Sequence, residues 1–487
     1  MSEVIICRGG QGSLAGSDPF TGAAIVVTCD AGATIVCTNG EKTFTRVASP
    51  TAEVTFNVSY GTWSLTSSLN GKTKTKSVYV DALKVYSLKL TVYSDLTLGF
   101  KLDMSNTDPN SGFTYTDNAV GMSPLACARG SGKCNYGSWD PGYFSDFLGI
   151  RPCIYKNGQV VCYLDPNNYA LDKNGNSVNI GRNMDGDVMI EFEKRWYRYF
   201  TDASGNLCFQ VSDMDRSSDG FVTTAFLAED GTGASVDAFY YGAYEGYVDK
   251  NNNKLRSVSG VNPSTNISLN SFKSYASSAG TGYTIESFMK RIYINGLLML
   301  VTKGRDCKQS IGHGYINNSN SRPIVTGTMN DRGLFYGRND VNKVGCKVFG
   351  IENYWGNLWD WLAGLITVDS NGTLGIKKCS PYSSSSYDVS ISMPSFCSGF
   401  STNKSSVCPS KQKEVVSGAA ILPSVLQGDS TIGWPEYFFV RADTHFVAKC
   451  GGAYLSFAEN VGTLSCFMDS GPDYKSSSST GARLAAT

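Results

Sequence analysis

The chain reads as a mainly β protein with α+β character: a small N-terminal β-sandwich, then a much larger mixed domain. Three observations carry this. Residues 1–100 hold seven short apolar or alternating runs bounded by Gly, Asn, Asp and Ser, the pattern of a two-sheet sandwich. Of 487 residues, 52 are Gly, 27 Tyr and 24 Phe, and only 17% are charged, against ~25% in an average domain; this is a loop-rich, sheet-based composition. Residues 285–300 carry apolar side chains at three- and four-residue spacing and read as a helix.

The seven N-terminal strands are expected at 23–29, 34–38, 42–47, 53–59, 62–67, 74–80 and 86–92, with Trp63 in their core. Residues 101–140, with Asp108-Pro109-Asn110-Ser111-Gly112 and Ala128-Arg129-Gly130-Ser131-Gly132, read as a linker or an irregular covering segment. Cys127 and Cys134 fall there without an assigned role. Residues 141–487 form the large domain. Hairpin turns are signalled at Lys173–Asn176, Asp202–Asn206 and Asp369–Thr373. Residues 188–200 read as one aromatic-rich strand, and the Ser-rich 380–386 as an exposed loop.

Charge and composition exclude several functions. Lys plus Arg number 42 and Asp plus Glu 42, so the basic surface that non-specific nucleic-acid binding needs is missing. Zero net charge also favours association, and a homo-oligomer is expected. The N-terminus shows no signal peptide and no run approaches a membrane span, so the chain is expected to be made in a reducing cytoplasm without membrane insertion. Its 15 cysteines, with no Cys-x-x-Cys, are then expected to act as small buried hydrophobes.

Candidate chemistry is sparse. Two histidines exist, His313 and His445, which leaves no His-based cluster. No Gly-x-Ser-x-Gly and no phosphate loop occurs. The loop from Asp213 has Ser218 and Thr224 where a calcium loop needs Gly and Glu, and the one from Asp249 has Lys254 at the Gly position; any metal site is left open and no cofactor is expected. Asp185, Asp187, Glu191 and Glu193 are the one carboxylate cluster. Strand periodicity puts Glu191 and Glu193 on the face opposite Val188, Ile190 and Phe192, and Lys194, Arg195 and Arg198 follow, so a solvated, charge-paired strand face is expected. On a helix, Trp355 and Trp359 would share one side. The C-terminal residues 450–484 interleave Tyr, Ser, Asn, Asp and Gly, as adaptable binding surfaces do.

Two ordered motifs carry a resemblance. Gly350-Ile-Glu-Asn-Tyr-Trp355-Gly356-Asn357-Leu-Trp359-Asp-Trp361 resembles the Gly-Asn-x-Trp-Glu-Trp motif of C-type-lectin-like domains of the formylglycine-generating-enzyme type. Gly451-Gly452, followed by Gly481-Ala482-Arg483-Leu484-Ala485, resembles that family's closing motif; Lys449-Cys450 and Ala482 depart from its usual Arg and Phe. With Asp187–Tyr197, Tyr240–Gly246, Leu255–Gly260, Ser310–Gly314 and Thr326–Met329 in order, the chain resembles bacteriophage tail or minor structural proteins, and its first hundred residues resemble by type the Ig-like modules of such proteins.

The resemblance implies a virion tail protein, with other tail proteins and a bacterial surface glycan or protein as partners, acting in host attachment. Where the resembled oxidase has cysteines after the Gly-Gly pair, residues 454–459 hold Tyr454, Leu455, Ser456, Phe457, Ala458 and Glu459, so that activity is not expected. Some lectin-like proteins of this type have the exposed residues of this segment varied by diversity-generating retroelements. The matching positions are Tyr454, Ser456, Asn460, Asp469, Ser470, Asp473, Tyr474 and Ser476, which are expected to form one ligand-binding face. Trp355, Gly356, Asn357, Trp359, Trp361, Gly451, Gly452, Gly481 and Arg483 are expected to be structural. A purely structural tail or fibre-attachment role, and a polysaccharide-degrading enzyme using Asp187 and Glu191, are the alternatives.

Overall fold

The computed structural model describes residues 23–48, 52–106, 108, 110–318, 322–369, 373–379, 386–392, 409–426, 436–440, 445–458, 461–474 and 477–487. Asn460, Ser476 and most of the Ser-rich 380–386 segment lie outside them. The protein is mainly β, with 42% strand and 10% helix, and divides into two compact units, residues 1–94 and 95–487.

In the first unit all seven expected strands form. Ala23–Thr28 lies between Glu53–Val58 (antiparallel) and Val85–Lys89 (parallel). A second sheet runs Thr43–Val47, Thr34–Thr38, Gly61–Leu69, Lys72–Val80. The period-2 burial of Ala23–Thr28 and Glu53–Val58 turns Ile25, Val27, Phe56 and Val58 toward Ile35, Trp63 and Leu65 in one core. Trp63 is fully buried, and its indole N–H is satisfied by the Ser59 carbonyl at 2.9 Å. The Gly61–Leu69 and Lys72–Val80 strands run further than expected, to a two-residue turn at Asn70-Gly71 with φ of 50° and 76°. Positive φ at both positions is what a tight hairpin turn needs, and Asn-Gly supplies it.

In the second unit the segment read as a linker is built into the fold. Thr97–Leu102 and Phe113–Asp117 are two strands of a four-stranded sheet with Leu207–Ser212 and Trp196–Thr201. The boundary therefore falls at 94/95, and residues 118–140 are irregular apart from one short hairpin, Ala126–Cys127 against Cys134–Asn135. The expected single strand over 188–200 is two strands in different sheets, Asp187–Glu193 and Trp196–Thr201. The break falls at Lys194-Arg195, where the Lys194 N–H bonds the Asp237 carbonyl and the Arg195 guanidinium turns inward to the Phe147 carbonyl.

Asp187–Glu193 is central in a seven-stranded sheet ordered Asn168–Asp172, Gln159–Asp165, Ile150–Lys156, Asp187–Glu193, Ala238–Gly242, Leu484–Ala486, Tyr283–Ile285. A further sheet runs Val389–Ser392, Thr373–Ile376, Trp359–Thr367, Val447–Gly451, Gly462–Ser470, Phe438–Val440, with Thr480–Gly481 parallel to Trp359–Thr367. The expected helix is Phe288–Thr302, two to three residues later than its periodicity indicated, because Tyr283–Ile285 is a strand. Every residue of this helix is buried, as its nearly all-round apolar surface requires. Trp355 and Trp359 do not share a helix. Asn353, Gly356 and Asn357 have φ of 51°, 76° and 60°, which a right-handed helix cannot hold, and Trp359 begins a strand. No helix among the described residues is long and apolar enough to cross a membrane.

Candidate functional site: an open polar depression beside the C-terminal strands

The residues of the two motifs meet in a buried network. Asn357 donates through Nδ2 to Glu245, accepts the Ile324 N–H at 2.8 Å, and its backbone carbonyl takes the Tyr454 N–H at 2.8 Å. Glu245 also accepts the Leu358 N–H at 3.2 Å. Arg483 reaches Asp360 at 3.3 Å and donates to the Gly242 and Asn353 carbonyls. Arg291 pairs with Glu286 at 3.3 Å and lies over the Tyr354 ring at 4.3 Å. The Cys450 thiol, in the motif's departing position, donates to Glu286 at 3.2 Å. Burial holds the Glu245, Glu286 and Asp360 carboxyls above their ordinary range, opposed at Glu286 by Arg291 and at Asp360 by Arg483. Trp355 and Trp361 are fully buried, with their indoles bonded to the Gly312 and Ile267 carbonyls at 3.0 Å. Trp359 tilts against Phe467 at 5.1 Å. At Gly452, φ is 87° and a Cβ would lie 2.6 Å from the Val461 side chain. Gly356 donates its N–H to the Gly451 carbonyl at 3.3 Å. Gly481 pairs with Asp360.

The expected binding face does not come together as one surface. Val447–Gly451 and Gly462–Ser470 pair from Val447↔Ser470 to Gly451↔Gly462. The 453–458 loop leaves one end of this hairpin and residues 471–474 leave the other, about 13 Å apart for four residues at ~3.3 Å each. Tyr454, expected on the face, is 5% exposed and packs on Tyr315 and Leu358. Its carbonyl takes the Asn318 N–H at 2.7 Å. Ser456 is half-buried and caps its own loop, with Oγ accepting the Ala453 N–H at 3.1 Å. Both positions are thus spent on holding the loop against the network, whatever their polarity.

At the other end three expected residues do converge. Asp469, Ser470 and Tyr474 line an open depression of about 560 Å³ with Phe446, Lys449, Gly471 and Ser477. Lys449 reaches Asp469 at 3.0 Å, the diagonal neighbour of its register partner Phe467. Ser470 Oγ donates to Asp469 Oδ1 at 2.9 Å. Asp473 lies on the same turn, where it takes the Asn270 Nδ2 donor at 2.8 Å, and the Asn270 N–H bonds the Pro472 carbonyl; the turn is thereby pinned to helix Leu269–Ser277. Tyr474 is 62% exposed. Lys449, Phe446 and Ser477 were not foreseen; the one available signal was a charge at 449 inside an otherwise apolar strand. Chemically the depression offers an ammonium, a carboxylate, hydroxyls and an accessible ring, fixed on strands rather than on a free loop.

The carboxylate cluster differs from its expectation. Its strand is central, so Asp187 and Glu191 are buried at 3% and 5% exposure rather than solvated. Asp187 accepts from Arg256 at 3.0 Å and the Ser257 N–H at 2.8 Å, and burial, opposed by Arg256, raises its pKa. Glu191 accepts from Arg151 at 2.8 Å and Tyr240 at 3.2 Å. Glu193 bridges Arg151 and Arg195, and Asp185 pairs with Lys156. Lys194 and Arg198 serve elsewhere, on Asp237 and Gln210. Asp213 caps the Asp95 and Leu96 N–H groups at 2.9 Å. His313 bonds Asn342 at 2.9 Å, and His445 is exposed. Among the described residues no three His, Cys, Asp or Glu side chains converge as metal ligands.

No protein-family model and no curated protein sequence matches the chain.

Proposed function

We propose that the chain is a bacteriophage tail protein that acts as a non-enzymatic, oligomeric adhesin, with an Ig-like module ahead of a C-type-lectin-like domain whose C-terminal depression meets a glycan or protein of the host surface. The observation that carries this reading is the convergence of Asp469, Ser470 and Tyr474 on one open, mainly polar depression with Lys449. An exposed tyrosine beside hydrogen-bonding groups on a rigid hairpin supplies contact area at low entropic cost. The lack of a catalytic role is supported by Asp187 and Glu191, the one carboxylate pair considered for hydrolysis, each being held by an arginine.

A second reading, a structural tail or fibre-attachment protein, is favoured by Leu455 and Phe457, 43% and 58% exposed on the loop at the other end of the hairpin. Two such residues side by side are suited to a protein contact.

The test is binding of the purified full chain to a panel of intact bacterial isolates and to their extracted wall polysaccharide. Tyr474→Ala and Asp469→Ala are expected to weaken capture at least tenfold while Leu455→Ser/Phe457→Ser leaves it intact. Absence of capture by the folded wild-type chain would replace the first reading by the second, and capture that ignores the depression variants would remove the depression as the receptor site.

A further inference from the structure

Two cysteine pairs face each other directly across antiparallel strands: Cys127 opposite Cys134, and Cys450 opposite Cys466. They differ in what surrounds them. Cys450 and Cys466 are 2% and 5% exposed, and the Cys450 thiol is engaged by Glu286. Cys127 and Cys134 sit on a surface hairpin, Ala126–Cys127 against Cys134–Asn135, whose tip is exposed over residues 128–131. Cys134 is half-buried and Cys127 is 8% exposed.

The register fixes the geometry. The Ala128 N–H bonds the Lys133 carbonyl at 2.8 Å, so positions 128 and 133 form a hydrogen-bonded pair and the next pair, 127 and 134, is non-hydrogen-bonded. In such pairs the Cα atoms are about 4.5 Å apart and the side chains are closest. A disulfide spans Cα separations of about 4.4–6.8 Å. Both cysteines are free thiols.

We infer that Cys127 and Cys134 are a modification site: a thiol pair that a small-molecule disulfide converts to an intrachain disulfide across the hairpin. The Cys134 thiolate attacks one sulfur of, for example, oxidised glutathione and displaces one glutathione thiolate. The Cys127 thiolate then attacks the sulfur on Cys134 and displaces the second. One disulfide is cleaved to two thiols, the two protein thiols become one disulfide, and their protons pass to the leaving thiolates. The interaction with the Cys127 thiol, and then burial, hold the Cys134 thiol above its ordinary pKa, so the exchange is slow at neutral pH and faster in mild alkali. The pair stays reduced in a reducing cytoplasm and closes outside it. This holds independently of the adhesin reading.

The test incubates the purified full chain with reduced and oxidised glutathione in graded ratios, blocks free thiols after denaturation, and maps tryptic peptides by mass spectrometry. Cleavage after Arg129 and Lys133 separates the two cysteines, so the bond appears as a cross-link between the peptide ending at Arg129 and the one beginning at Cys134. Expected is a cross-link that grows with the oxidised fraction and reverts with dithiothreitol, with no link between Cys450 and Cys466. In Cys127→Ser, Cys134 should instead retain glutathione. Free Cys127 and Cys134 at every ratio, or wild-type Cys134 retaining glutathione beside a free Cys127, would overturn the inference.

Discussion

Tyr454 and Tyr474 show how far a residue's type can be separated from its role. Both are tyrosines in a polar, glycine-rich stretch, and sequence puts both on one face. Tyr454 is taken into the core because its backbone bonds Asn357 and Asn318 and its ring fills the space beside Tyr315 and Leu358; Tyr474 stands in solvent on a turn closed by its own N–H to the Gly471 carbonyl. Tyr454→Ala should therefore cost about 3–5 kcal/mol, the usual range for emptying a buried aromatic site. Tyr474→Ala should change stability by less than about 0.5 kcal/mol, as exposed substitutions do. Denaturant midpoints of the two variants measure this; equal losses would put both rings in the core. The buried motif residues were easier to read than the face, because Gly, Asn and Trp in fixed order impose backbone and packing demands that sequence displays. Exposure at Tyr454 depends on where Asn318 and Tyr315 lie in space, and no local pattern encodes that.

Elements were legible in proportion to how local their cause is. The sandwich strands follow from alternation and from turn residues next to them in the chain. The membership of Thr97–Leu102 in a sheet with Leu207–Ser212 depends on partners more than a hundred residues away, and the Asp-, Asn- and Ser-rich stretch that follows it reads as a linker. The helix Phe288–Thr302 was visible from its periodicity, but the demand at its centre was not. Gly296 faces the four-stranded sheet, where a Cβ would lie 2.6 Å from the Phe209 ring and also strike the Tyr199 hydroxyl. That hydroxyl is fixed by its 2.7 Å bond to the Ile292 carbonyl. Alanine is about 1 kcal/mol better than glycine in a helix, yet overpacking a filled site costs about 1–3 kcal/mol. Gly296→Ala is thus expected to lower the thermal midpoint, and Gly296→Ala/Tyr199→Phe to lose less than the two single losses combined. A raised midpoint in Gly296→Ala would show that the sheet yields.

For the whole molecule, the second unit places Glu286 and Glu436 in its interior. Burial pushes both carboxyls up to about 7, opposed by Arg291 at Glu286 and by Lys308 at Glu436. The unfolded chain ionises its glutamates near 4.3. Between that pH and about 7 the folded state keeps protons that the unfolded state has lost, so stability falls as pH rises across this window and levels off above it. Each carboxyl contributes about 3–4 kcal/mol to the fall, since one pH unit of displacement corresponds to about 1.4 kcal/mol. Glu436 accepts the Thr463 N–H at 3.1 Å through one carboxylate oxygen and the Leu464 N–H through the other; a glutamine keeps one of these bonds and loses the other, a loss that is the same at every pH. Glu436→Gln should remove its share of the slope, so that the variant's stability relative to the wild type rises from pH 4.5 to pH 7 and is constant above it. Unfolding midpoints of both proteins across pH 4.5–8 decide it. Parallel profiles would mean that Glu436 titrates alike in the folded and unfolded chain and that Lys308 fully offsets its burial.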